Sequence, residues 1–220
     1  VKWLKRRQRV MLRLILVGPQ GAGKGSAADD LTNKFNIPHI STGDIFRYNI
    51  KNQTELGKKI QKIVDGGGLV PSELTCEVMK DRIGQEDCKE GYILDGFPRN
   101  IEQAESLDSY SEVDFVVLLD VPREVSIERL TSRLQCSSCK TIFNTKSKPP
   151  KNEGVCDKCG GELYRRDDDT AEAITKRLEI YEKETKPILD HYKNKVLSIK
   201  AVGNISDVNK QIIKVQVTGK

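Results

Sequence analysis

With 220 residues, 37% hydrophobic and 31% charged, the chain has the length and composition of a globular protein with one substantial core and small inserted lobes. No apolar run approaches the roughly 20 residues a bilayer demands, and residues 1–10, VKWLKRRQRV, lack the apolar stretch of a secretory signal. The formal charge of +5 is local: those ten residues hold five basic and no acidic side chains, leaving 32 basic against 32 acidic residues in the body. A neutral body offers no overall positive field, which argues against a nucleic-acid-binding class. The ten residues read as a basic terminal extension.

In chain order, residues 14–17 (Leu-Ile-Leu-Val) read as a buried strand, followed by a glycine-rich turn and a helical run over 27–35. The turn, Gly18-Pro19-Gln20-Gly21-Ala22-Gly23-Lys24-Gly25-Ser26, meets the Gly-x4-Gly-Lys spacing. Residues without Cβ let the backbone wrap an anion. N–H groups and the positive end of the helix converge on one point, and Lys24 adds a mobile charge suited to phosphoryl oxygens. The residue after the lysine is Gly25, and the hydroxyl comes one place later at Ser26. This is a phosphate cradle.

A short extended piece at 36–40 precedes Ser41-Thr42-Gly43-Asp44, a helix start, and helical patterns over 45–52 and 54–64. Residues 65–68, Asp-Gly-Gly-Gly, break the chain before Leu69-Val70-Pro71, and a helix follows to about residue 83. Residues 91–95 read as a strand ending in Asp95, then a Gly96-Phe97-Pro98-Arg99 loop and a helix over 101–107. Ligands of open α/β sheets bind beyond the carboxyl ends of the strands. Asp95 is therefore expected beside the cradle, placed to organise Mg²⁺ directly or through its waters. Arg99 can grip a second phosphate with its planar fork, and Gln103 offers an amide to a base edge.

Residues 114–120 form an apolar strand, a helix is expected from Pro122 to about 134, and a cysteine segment occupies about 135–164. A long helix over 170–193, kinked or restarted by Pro187, leads to a strand over 196–202 and a last helix over 206–215. Strands alternating with helices predict an α/β fold with a parallel sheet. Cys136-x2-Cys139 and Cys156-x2-Cys159 have the spacing of a structural zinc site, with no coordination position left open. Cys76 and Cys88 read as inert thiols, and His39 and His191 as ordinary structural residues.

These motifs, in this order, resemble the adenylate kinases of the long type, over essentially residues 11 to the last helix. The resemblance implies a P-loop three-layer sandwich, made of 11–40, 71–132 and 167–220. An inserted helical AMP-binding lobe would span 41–70 and a small zinc-stapled lid 133–166. It implies reversible phosphoryl transfer from ATP to AMP giving two ADP, with Mg²⁺ accompanying ATP and Zn²⁺ structural. On that resemblance Gly21, Ala22, Gly23, Lys24, Gly25 and Ser26 hold the donor phosphates, with Ile142 and Phe143 flanking the donor base. Thr42, Gly68, Leu69, Val70 and Gln103 surround the AMP base and sugar, and Gly96, Phe97 and Pro98, on the same loop as Arg99, belong to the AMP-binding set as well. Arg47 and Arg99 bind the AMP phosphate; Arg133, Arg166 and Arg177 line the phosphoryl in transit; Asp168 and Asp169 make hinge ion pairs.

The AMP phosphate is already ionised at neutral pH, so no general base is needed; the barrier lies in aligning two polyanions and neutralising the equatorial oxygens. A closing lid keeps water out. Gly68 stands where a charged residue is common in the family, and the glycine run 66–68 predicts a tolerant acceptor lobe with AMP still preferred. A monomer in the cytoplasm, without nucleic-acid or membrane partners, is the family expectation. The competing expectations are a kinase using GTP or a broad range of nucleotides, and a non-catalytic binding module built from the cradle and the cysteine quartet.

Overall fold

The computed structural model describes residues 11–203 and 205–218, so the basic extension at 1–10 lies outside the described residues. β1 (Leu12–Val17) enters the glycine loop and α1 (Lys24–Phe35); β2 (His39–Ser41) leads into α2 (Thr42–Lys51), α3 (Glu55–Asp65) and α4 (Ser72–Ile83). A 3-10 turn at Glu86–Cys88 precedes β3 (Gly91–Asp95), α5 (Ile101–Asp108), β4 (Phe115–Asp120) and α6 (Arg123–Thr131). Then come β5 (Arg133–Cys136), β6 (Ile142–Asn144), β7 (Leu163–Tyr164), α7 (Ala171–Ile180), α8 (Ile188–His191), β8 (Val196–Lys200) and α9 (Ile205–Thr218).

Five strands pair in the order β2-β3-β1-β4-β8, every pair parallel. The period of two along central β1 builds the layers. Leu12, Leu14 and Leu16 pack with Leu31 of α1 and Val208 and Ile212 of α9. Ile15 and Val17 face the other way, toward Met79 of α4, Leu107 of α5 and Ile188 of α8. A sheet covered on both faces reads as an unbroken apolar run, as Leu14 to Val17 do. The α/β three-layer architecture expected from the sequence is the one observed.

Helices α2 and α3 carry a separate apolar cluster around Phe46, Ile60 and Val70. They approach so closely that a Cβ on Gly57 would stand 2.1 Å from the Asn49 carbonyl oxygen. Ser41 caps α2 by accepting from the Asp44 N–H, as the sequence indicates, and Thr54 caps α3 in the same way.

Helices α1 and α2 begin three residues earlier than the sequence reading has them and α9 ends three later, and three further boundaries differ. The helix expected to reach residue 134 stops at Thr131, because Arg133–Cys136 becomes the central strand of an antiparallel β6-β5-β7 sheet. Leu134 and Gln135 are drawn into pairing with Phe143, Ile142 and Tyr164, which local periodicity could not reveal. The long helix of 170–193 is divided: α7 gives way to a π-helical turn at Tyr181–Thr185, ahead of Pro187, and α8 ends at His191. The last strand closes at Lys200, two residues early.

Candidate active site

The parallel order places the carboxyl ends of β1, β2 and β3 side by side, so the loops after Val17, Ser41 and Asp95 meet. Lys24 opens α1 and folds its ammonium back over the loop, donating to the Gly18 carbonyl at 2.8 Å and the Pro19 carbonyl at 2.9 Å. Gly21 has φ +83°, and a Cβ there would lie 2.8 Å from the Ser126 carbonyl oxygen of α6. Only glycine fits a loop pressed this tightly against a neighbouring helix. The Arg129 guanidinium braces it from α6, donating to the Gly21 carbonyl at 3.3 Å and the Ala201 carbonyl at 3.0 Å.

Asp95 sits at the end of β3, 16% exposed, with Oδ2 placed 3.8 Å from where a Cβ on Gly25 would stand. His39 Nε2 is 3.6 Å from the same oxygen, too far for a direct hydrogen bond but close enough for its charge to act. Burial opposes ionisation of Asp95, yet His39, Lys24 and Arg99 bring the carboxyl down to about 2. It is a carboxylate at every physiological pH.

The cations behave oppositely. Burial pushes Lys24 down to about 8 despite Asp95, and Arg99, Arg177 and Arg133 lower it further. Burial and Arg177 hold Arg99 down to about 10, and burial and Arg133 hold Arg166 to about 9. Cations that depress one another mark a site richer in positive than in negative charge. An incoming polyanion relieves both the repulsion and the desolvation.

Several of these guanidinium groups are already held by protein acceptors. Arg133 Nε donates to Asp169 Oδ2 at 2.9 Å, and Arg177 NH1 lies 3.1 Å from Asp168 Oδ2 and 3.4 Å from Asp169 Oδ1. Asp169 is fully buried between them, the ion-pair arrangement expected for this carboxylate pair. Arg166 Nε donates to Gln135 Oε1 at 2.7 Å, and Arg47 pairs with Asp44 at 2.7 Å. Carbonyls and carboxylates therefore aim the forks before any phosphate arrives.

One pocket gathers Thr42, Arg47, Gly68, Leu69, Val70, Gly96, Arg99, Gln103 and Arg177 from the sequence-predicted set, with Gly67 and Asp168 beside them. Phe97 and Pro98 do not line it; both are buried, and Phe97 joins the apolar cluster beneath the sheet. Arg166 lies outside the lining. Gln103 Oε1 accepts from the Arg99 N–H at 2.8 Å, which leaves its NH₂ to meet a ligand. Ile142 is half-buried, but the Phe143 ring packs inside the cysteine segment, with Lys148 Nζ 5.7 Å from its centroid. That ring presents no face to a base.

Cys136, Cys139, Cys156 and Cys159 bring their Sγ atoms within 4.8 Å of one another. Cys136 and Cys159 are 3.5 Å apart and Cys139 and Cys156 3.6 Å, far beyond a disulfide bond. They lie near the roughly 3.8 Å edge of a tetrahedron with zinc–sulfur bonds of about 2.3 Å. The Thr141 hydroxyl, 3.1 Å from Cys139 Sγ, helps hold that thiol down to about 6, so a ligand-competent thiolate forms readily. The quartet fits a tetrathiolate metal. Among the described residues no helix is long and apolar enough to cross a membrane.

His39, Arg129 and Gln135 belong to this site, and sequence reading missed them. A basic residue on the helix after β4 was the only cue for Arg129. Gln135 carried none, because its bond to Arg166 depends on a pairing of β5 with β7. His39 carried a weak cue, standing two residues before the end of the strand beside Asp95.

A family profile described as adenylate kinase matches residues 16–197. The chain is 50% identical over 210 residues to the adenylate kinase of Caldicellulosiruptor saccharolyticus, covering 92% of this chain and 98% of that one. It is 52% identical over 189 residues to the Clostridium tetani adenylate kinase, covering 84% and 88%. It is 48% identical over 216 residues to that of Clostridioides difficile, covering 95% and 100%.

Proposed function

The chain belongs to the adenylate kinase family and transfers a phosphoryl group from ATP to AMP to give two ADP; on that premise we propose how its own residues divide the work. The observation that carries the reading is that Lys24, opening α1 with its ammonium folded over the loop after β1, lies close enough to Arg99 and Arg177 for their charges to lower its pKa, and those two arginines line the pocket beside α2. Two phosphate sites thus share one wall.

In this reading Gly21 to Ser26 cradle the donor phosphates through backbone N–H groups, and Lys24 leaves the Gly18 and Pro19 carbonyls to meet the phosphoryl oxygens. Arg47 and Arg99 hold the AMP phosphate. Thr42, Gly68, Leu69, Val70 and Gln103 enclose its sugar and base, the Gln103 NH₂ facing the base edge. Arg133, Arg166 and Arg177 cover the phosphoryl group in flight, where charge spreads over its equatorial oxygens. No residue acts as a base, since the attacking AMP oxygen is already anionic. Asp95 is the residue that would hold Mg²⁺ with the donor phosphates, where the ion neutralises oxygen charge.

Residues 41–70 form the AMP lobe of this reading and 133–166 a lid that folds over the donor and expels water. The cysteine quartet would hold zinc there as a structural staple, apart from the chemistry. The missing side chain at Gly68 and the glycine run before it support an acceptor lobe that tolerates other monophosphates while preferring AMP. The buried Phe143 ring supports testing GTP as a second donor. A monomer in the cytoplasm accompanies this reading; sedimentation and cell fractionation test both.

Incubating the protein with ATP, AMP and magnesium should give ADP at equal rates of donor and acceptor loss. Calorimetry should find two adenine nucleotides per chain. Saturation at one would remove the shared-wall reading. Equal turnover of AMP, GMP and CMP would remove the acceptor preference.

A further inference from the structure

Arg99 and Arg177 come from different elements, and their relative placement depends on the helix that carries Arg177. That helix leaves the α repeat after Ile180 and enters the π turn of Tyr181–Thr185, closed by the Lys186 N–H donating to the Tyr181 carbonyl at 2.9 Å. A π turn widens the helical repeat to an i to i+5 bond, and such turns concentrate at functional sites. A helical threonine hydroxyl ordinarily bonds back to its own preceding turn. Thr185 does otherwise: its Oγ1 donates at 2.8 Å to the Arg99 carbonyl, 86 residues away in sequence. The residue is only 9% exposed, so water is a poor substitute for that contact.

The Arg99 main chain is then clasped from two sides. Its N–H is held by Gln103 of α5 at 2.8 Å and its carbonyl by Thr185, while its own Nε donates to the Gly96 carbonyl at 2.9 Å. The Tyr181 ring at the start of the π turn packs in the same apolar cluster as Phe97, so turn and loop are seated on one surface.

We propose that Thr185 is a positioning residue for the acceptor phosphate. The π turn offsets the helix so that its hydroxyl registers the Arg99 loop against Arg177, on the same helical run. This deepens the reading of Arg99 as a ligand of the AMP phosphate and rests on it. Thr185 reaches Arg99 and not the cradle, so its loss acts on the acceptor alone. A misplacement approaching 1 Å costs up to about 100-fold, and a loop released at one of two ties should lose less.

The test is steady-state kinetics of T185V, T185S and R99K, with thermal melting of each. T185V should lower kcat/KM for AMP about tenfold while KM for ATP stays within about twofold, and T185S should return to within about twofold of the parent. A parental kcat/KM for AMP in T185V would overturn the proposal. So would a T185S as impaired as T185V, or equal rises in KM for AMP and ATP, since these mark a merely structural residue. If T185V does not fold, T185A takes its place, and failure of both to fold also overturns it. R99K separates the two levels: an unchanged KM for AMP there rejects Arg99 as the phosphate ligand, whatever Thr185 does.

Discussion

The parallel core and the cysteine segment are held together by different means. Along β1, Leu14, Ile15, Leu16 and Val17 are each no more than 3% exposed and divide between two apolar layers. In the cysteine segment the buried cluster is Cys136, Phe143, Cys156 and Leu163, two of them thiols. Burying an apolar side chain contributes about 1.5–3 kcal/mol, so the segment's own cluster is slight. A structural tetrathiolate zinc contributes about 10–16 kcal/mol in small domains. A frame that must not move is built from apolar layers. On the proposed reading the cysteine segment is a flap that closes and reopens, which a small unit stapled by a metal held on its own four cysteines would suit.

The largest expected effect lies in the core. Lys24→Met should lower kcat by about 10³-fold or more, because one aligned charge is lost from a dry phosphate site. The apolar layers should keep the melting temperature within a few degrees. Substantial residual turnover would remove Lys24 from the donor site. Next in size, a chelator under reducing conditions should strip about one zinc per chain and abolish an early calorimetric transition. The main transition should remain in place. Metal analysis finding no zinc, or a single transition shifting as a whole, would erase the contrast between core and flap.

Asp169→Asn probes the joint between the two regions. The carboxylate is fully buried between Arg133, the first residue of β5, and Arg177 of α7. Removing its charge leaves two guanidinium groups short of a partner, at a cost of about 3 kcal/mol in urea denaturation. A loss below about 0.5 kcal/mol would show that the joint does not depend on this pair.

The smallest effect concerns His39. Burial opposes its charge, but Asp95 and Asp29 outweigh burial and raise its pKa above the ordinary imidazole value. A raised folded-state pKa contributes stability that is fully present below about 6.5 and disappears as pH climbs through the folded value. His39→Gln should therefore melt a few degrees lower than the parent at pH 6 and converge with it at pH 9. A difference that grows with pH would reverse the assignment.

Much of this was legible in the residues. An apolar run followed by glycines and a lysine declares a strand, a tight loop and a helix start within a dozen positions. Ser41 and Asp44 announce a capped helix three residues apart. The paired Cys-x2-Cys turns announce a metal because both ligands of each pair lie on one turn. Less visible were β5 and the π turn. Residues 133 and 134 look helical by local pattern, and only the pairing of β5 with β6 and β7 makes them strand. Tyr181 to Thr185 look like ordinary helix; the restart expected at Pro187 is present, with Pro187 at the N-cap of α8, but the π turn before it carried no local signal.

By itself the sequence determined the alternation of the core's parallel strands with helices, the glycine-rich loop and its lysine, the cysteine quartet and the membership of Asp95, Arg99 and Gln103 in one loop-and-helix unit. Each of these follows from spacings of a few residues, over which backbone geometry is nearly fixed. The tertiary structure alone decided that Arg133 finds Asp169, Arg166 finds Gln135, His39 finds Asp95 and Thr185 finds Arg99. Those partners lie from 31 to 86 residues apart in all four pairs. A side chain's partner at such range is chosen by how layers pack and strands register, and no local periodicity encodes that choice.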